Sequence, residues 1–180
     1  LKTILQELSK FGTKLPQKSI IFDKVALKNY ILVALQTPKD TVIHKYSDMS
    51  VLQFISKINE ISKNTDQMFL IKPHPNTNKN IKLILYLIYK TILRKNLKIF
   101  MGDITEAVKK ASGVIVLNSG VGFEALANGK SVYTFAKADY SIIAHTINDI
   151  PVEEWCNFLP KKNTYSFFNE YLKYNIFLGN

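Results

Sequence analysis

Three short segments of the chain carry residue types that can do chemistry together. The first is Asn118-Ser119-Gly120-Val121-Gly122-Phe123-Glu124. A Ser-Gly-x-Gly turn that opens a helix brings backbone N–H groups, a hydroxyl and the positive end of a helix dipole to one point, which suits an anion. Glycines at 120 and 122 let the backbone come close to a phosphate, and Glu124, one turn into the helix, can accept hydrogen bonds from ribose hydroxyls. The segment is neither a Walker loop nor a full Gly-x-Gly-x-x-Gly, and it also reads as an ordinary tight turn with a capping serine. The second segment is Lys72-Pro73-His74-Pro75, whose two prolines fix the backbone and so aim His74, with Lys72 beside it to meet a phosphate. The alternative is a proline turn whose histidine caps something nearby. The third is Gln36-Thr37-Pro38-Lys39-Asp40-Thr41, where Asp40 offers a carboxylate or simply completes a turn. His44 and His145 are expected to be loop histidines on the surface. No histidine and carboxylate pair has metal-site spacing, so no obligatory metal and no cofactor is expected.

These segments have to be positioned by strands. Apolar, β-branched runs at Tyr30–Leu35, Met68–Ile71, Leu97–Met101, Val114–Leu117 and Val132–Phe135 read as five strands. Between them lie a polar loop from Thr37 to Asp48, helices over Val51–Ser62 and Asn80–Leu93, and a short helix that Asp103 and Glu106 open as a capping box. A last helix runs from Gly120 to Asn128, with Gly129 as its left-handed stop. Strands alternating with helices imply an α/β fold with a doubly wound parallel sheet, in which ligands bind beyond the carboxyl ends of the strands. All three segments follow such an end. The apolar helix after residue 80 carries leucines around nearly its whole circumference, which predicts core packing. Residues 1–28 read as a basic helical lead-in, with Leu1, Ile4, Leu5, Leu8 and Phe11 on one helical face. Residues 29–180 read as the domain, closed by an aromatic helical tail over Thr164–Leu178.

The 180 residues suffice for one domain with its own core. The net charge of +10 is concentrated in residues 1–90, where 14 Lys face 6 Asp and Glu. Arg94 is the single arginine among 24 basic residues, which argues against sequence-specific nucleic-acid reading and leaves a diffuse attraction to anions, an anionic membrane surface among them. The longest apolar runs, such as Leu83–Tyr89, fall far below the roughly twenty residues of a membrane-spanning helix. A lone Cys156 excludes an internal disulfide and fits a reducing compartment, so the cytoplasm is expected, with peripheral contact on the inner face of the membrane.

In this order, Leu35-Gln36-Thr37-Pro38-Lys39-Asp40, Ile71-Lys72-Pro73-His74-Pro75, and Asn118 to Leu126 with Gly129-Lys130-Ser131-Val132 resemble the capsule polysaccharide biosynthesis family of bacterial Kdo transferases. Phe168-Asn169-Glu170-Tyr171-Leu172 adds to the likeness. The resemblance implies a GT-B architecture of two Rossmann-like domains, of which residues 28–180 match the carboxyl-terminal, nucleotide-binding half. It implies retaining transfer of Kdo, an acidic eight-carbon keto sugar, from CMP-Kdo to a lipid-linked or glycan acceptor. Asp40 would be the catalytic carboxylate and His74 its partner in catalysis. His74 and Ser119 would bind the CMP phosphate and Glu124 the ribose, within a nucleotide site that also takes in Gln36, Lys72, Pro75, Gly120, Val121 and Gly122. The amino-terminal acceptor domain of such an enzyme is not in the sequence, so either the chain is a piece of a longer enzyme or a partner supplies that half. Two alternatives stand beside this reading: a non-catalytic nucleotide-sugar binding module left by truncation, and a related transferase using another CMP- or CDP-activated donor.

Overall fold

The computed structural model of the chain describes residues 21–22 and 29–157. Seven strands, β1 (Ile21–Phe22), β2 (Tyr30–Ala34), β3 (Met68–Lys72), β4 (Leu97–Phe100), β5 (Gly113–Val116), β6 (Ser131–Thr134) and β7 (His145–Thr146), form one sheet in the order β1-β4-β3-β2-β5-β6-β7. Every pairing is parallel. A parallel sheet needs cover on both faces, and β2 is accordingly buried along its whole length. Ile31 and Val33 point into one apolar layer with α1 (Thr41–Tyr46), α2 (Val51–Ile61), α3 (Ile81–Thr91) and Trp155 of α6 (Val152–Asn157). Tyr30, Leu32 and Ala34 point into the other, with α4 (Ile104–Lys110), α5 (Gly120–Ala127) and Tyr140.

The chain builds outward from β2 to β3 and β4, then crosses back to β5 on the other side of β2. That reversal is the switch point of a doubly wound, Rossmann-like fold, and it opens a crevice between the segments leaving β2 and β5. The five expected strands are present, flanked by β1 and β7, whose two residues each are too short to leave a periodic pattern. β1 falls in the segment read as the lead-in and pairs with β4. The first and last helices expected, over residues 1–11 and 164–178, lie outside the described residues.

Three local readings are corrected. The polar loop Thr37–Asp48 contains α1, one and a half turns that bury only Ile43 and so show no stripe in the sequence. His44 therefore sits on a helix, and His145 lies in β7 with its ring against Trp155. α3 is not packed all round: Leu83, Ile84, Leu87 and Ile88 are buried, while Ile81, Leu85 and Tyr89 are exposed, as is Leu93 just beyond the helix. Cys156 is a partly buried thiol packed against the core, and burial pushes its pKa up to about 12, far from a thiolate at neutral pH.

Candidate functional site

The segment after β5 is held by packing. Ser119 is the N-cap of α5, its hydroxyl accepting from the Val121 N–H at 3.3 Å. Tyr140, buried, donates its hydroxyl to the Ser119 carbonyl and lays its ring against the start of the helix. A Cβ on Gly122 would lie 2.6 Å from Tyr140 Cζ, whereas one on Gly120 would meet nothing within 4 Å among the described residues. The two expected close-approach glycines thus differ. Gly122 makes room for a tyrosine of the protein itself, and Gly120 leaves the helix end open. Neither takes up a left-handed conformation; among the described glycines only Gly129 does, at φ 68°, where it stops α5 as expected.

The segment after β3 places Lys72 and His74. Lys72 is only 8% exposed, and the hydrogen bond of its Nζ runs to the Pro73 carbonyl at 3.3 Å. Burial pulls its pKa below the ordinary lysine value, with the Asp103 carboxylate acting in the opposite sense. The His74 imidazole caps the 3-10 turn Pro75–Lys79, its Nδ1 accepting from the Asn76 N–H at 3.2 Å. A neutral ring that accepts at Nδ1 carries its proton on Nε2, which is then the donor available to a ligand. Aiming and capping, alternatives in the sequence, are done by the same side chain.

The segment after β2 is held by polar side chains. Asp40 is the N-cap of α1: Oδ1 accepts from the Val42 N–H at 2.9 Å and Oδ2 from Gln36 Nε2 at 3.2 Å. Gln36 Oε1 in turn accepts from the Asn118 N–H at 3.4 Å, across the switch point. Gln36, expected among the nucleotide contacts, is buried and spends its carboxamide on joining Asp40 to the segment after β5. The buried Asn118 carboxamide donates to the Val42 carbonyl at 3.3 Å, and its Oδ1 has no partner among the described residues.

Between these segments lies a cleft of about 360 Å³, and five of the expected residues meet on its wall: Lys72, His74, Pro75, Ser119 and Val121. Gln36, Asp40, Gly120, Gly122 and Glu124 lie off that wall. The Glu124 carboxylate accepts the Thr105 hydroxyl at 3.1 Å on the neighbouring α4. The wall is completed by Gly102, Asp103 and Ile104, which the sequence reading assigned no site role. The signal was available, because they follow the end of β4 as the other three segments follow theirs. Asp103 is the N-cap of α4, accepting from the Glu106 N–H at 2.8 Å; the Glu106 carboxylate pairs with Lys110 and does not appear in the return half of the box. Among the described residues no group of three His, Cys, Asp or Glu side chains is placed to hold a metal.

A cleft with a lysine, a histidine Nε2 and a helix end on its wall can hold an anion, and it can be set against proteins already known. The chain is 31% identical over 118 residues to Protein FixF of Sinorhizobium fredii, an alignment spanning 63% of this chain and 28% of FixF. In three dimensions it is similar to Thermosulfurimonas dismutans KpsC, a β-Kdo 2,7 transferase, with a TM-score of 0.53 at 22% identity over 80% of this chain and 46% of that one. That likeness is one of fold. The chain spans less than half the length of either relative. Residues 15–178 match the family model described as capsule polysaccharide biosynthesis protein. With nearly its whole length matched, the chain belongs to the capsule polysaccharide biosynthesis protein family.

Proposed function

We propose that this chain is the donor-binding part of a glycosyltransferase that moves Kdo from CMP-Kdo to a lipid-linked or glycan acceptor. The observation that carries the reading is the convergence of Lys72, His74, Ser119 and the amino end of α5 on one cleft at the switch point, with the Asp40 carboxylate tied to the same place through Gln36. The β-Kdo 2,7 transferase activity of KpsC supports the sugar, and the family supports the setting in capsule assembly; the cytoplasmic face of the membrane is part of the proposal.

In this mechanism the cleft holds the CMP phosphate. Lys72 supplies charge, His74 Nε2–H a directed hydrogen bond, and the α5 end its dipole, so the phosphate is stabilised as its bond to the sugar breaks. Asp40 then bonds to the anomeric carbon as CMP leaves, and the acceptor oxygen later displaces Asp40, which departs as a carboxylate while the proton of the acceptor hydroxyl passes to water. Two displacements retain the configuration. Gln36 orients the carboxylate, and Glu124, partly exposed beside the cleft, takes the ribose hydroxyls.

The cap made by Asp40 favours a second reading, in which that residue only starts α1. Asp40→Asn separates the two, since asparagine caps a helix about as well as aspartate but cannot trap an oxocarbenium-like centre. In the full-length enzyme the variant is expected to keep its CMP affinity and melting temperature and to lose more than about tenfold in transfer rate, ~1.4 kcal/mol of barrier. Transfer retained above a tenth of the parental rate contradicts the nucleophile role.

A further inference from the structure

A second cleft, of about 450 Å³, lies on the other side of the segments that leave β2 and β3. Leu35 lines the first cleft and Thr37 to Lys39 the second; His74 and Pro75 line the first, Asn76 and Thr77 the second. The chain carrying Asp40 therefore runs from one cleft to the other. The second is basic: Lys39 and Lys82 lie on its wall, both exposed, and among the described residues neither is in an ion pair and no carboxylate lines the cleft. The surrounding sequence has the same bias, with no Asp or Glu between Asp66 and Asp103.

Two further features suit it to an anion. The wall includes the amino end of α3, an 11-residue helix whose cap Asn80 takes the N–H groups of Leu83 and Ile84. An anion at this end meets those of Ile81 and Lys82. Thr77, also on the wall, is 2% exposed, and its Oγ1 has no hydrogen-bond partner among the described residues. A buried hydroxyl without a partner costs free energy that a ligand oxygen can recover.

From these we infer that the second cleft binds a phosphate group of the acceptor, held by Lys39, Lys82, the α3 end and the Thr77 hydroxyl. The inference deepens the proposed transfer and rests on it only for the word acceptor: donor phosphate on one side of the Asp40 segment, acceptor phosphate on the other. The phosphate can belong to a soluble glycan phosphate or to a lipid headgroup.

The test follows amide NMR shifts of the chain while inorganic phosphate is titrated in, with CMP present to occupy the first cleft. Thr77, Ile81 and Lys82 are expected to shift. The double change Lys39→Gln/Lys82→Gln is expected to weaken that response about tenfold with CMP affinity unchanged. Thr77→Val, which removes a hydroxyl with no partner to lose, should weaken it several-fold without lowering the melting temperature. Phosphate shifts confined to Ser119 and Val121, or a lysine double variant that responds like the parent, overturn the second site. A chain that ignores CMP yet shifts at Ile81 refutes the donor reading and keeps the second site; one that binds CMP and never shifts at Ile81 does the reverse. Vesicles of phosphatidylglycerol set against phosphatidylcholine decide the source: lysine-dependent competition with inorganic phosphate assigns a lipid headgroup, and its absence a soluble phosphate.

Discussion

The segments leaving β5 and β2 meet at one switch point, yet they are built by different means. The first is wedged: Tyr140 fills the space over Gly122 and ties down the Ser119 carbonyl. The second is strung on side-chain hydrogen bonds, from the Asn118 N–H to Gln36 to Asp40. Close packing tolerates little added volume, whereas a hydrogen-bonded brace can be altered with modest loss of stability and full loss of geometry. The wedged side is suited to holding a phosphate in one place, and the braced side to aiming a carboxylate.

The contrast breaks most visibly at Gly122. Gly122→Ala forces a methyl into the Tyr140 ring and is expected to cost ~1–3 kcal/mol of stability and to disturb the anion site, while Gly120→Ala, with open space around it, leaves stability unchanged or slightly higher. Urea unfolding of the two variants checks this, and equal losses would mean that the loop is not wedged. A smaller effect is expected at Ser119, where alanine removes the bond to the Val121 N–H and costs ~0.5–2 kcal/mol, with only a few-fold loss of CMP affinity because the neighbouring backbone donors remain. Thermal melts and CMP titration of Ser119→Ala measure both.

Smaller still is a dependence on pH. Lys72 has a pKa lowered from 10.5 by burial, so the unfolded chain holds its proton more tightly than the folded one. The folded state therefore gains stability as pH rises between the lowered value and 10.5, and below that window the buried charge is a fixed cost. Phosphate binding favours the ammonium, so CMP affinity is expected to fall over the same window while stability rises. Titrations at several alkaline pH values test the opposed slopes, and Lys72→Met should flatten both.

Much of this was legible from strand runs alone, since parallel strands buried on both faces leave continuous apolar stretches such as Tyr30–Leu35. Their ends located the two segments that bring Lys72, His74, Pro75, Ser119 and Val121 to the candidate cleft. What stayed hidden had no period to reveal it: α1 buries one residue, β1 and β7 are two residues each, and the exposed row of α3 is as apolar as its buried row. Partners distant in sequence were also beyond reach. Nothing near Gly122 announces Tyr140, and Gln36 shows its attachment to Asp40 and Asn118 only once β2 and β5 lie side by side.

The central claim, that the switch-point cleft is a CMP site with separate groups for phosphate and sugar, is tested most directly by calorimetric titration of CMP into the parent chain, His74→Ala and Asp40→Asn. The parent is expected to bind, Asp40→Asn to bind alike, and folded His74→Ala to bind at least about tenfold more weakly, the loss of a hydrogen bond to a charged phosphate. A parent that does not bind CMP, or a folded His74→Ala that binds it as the parent does, would contradict the account.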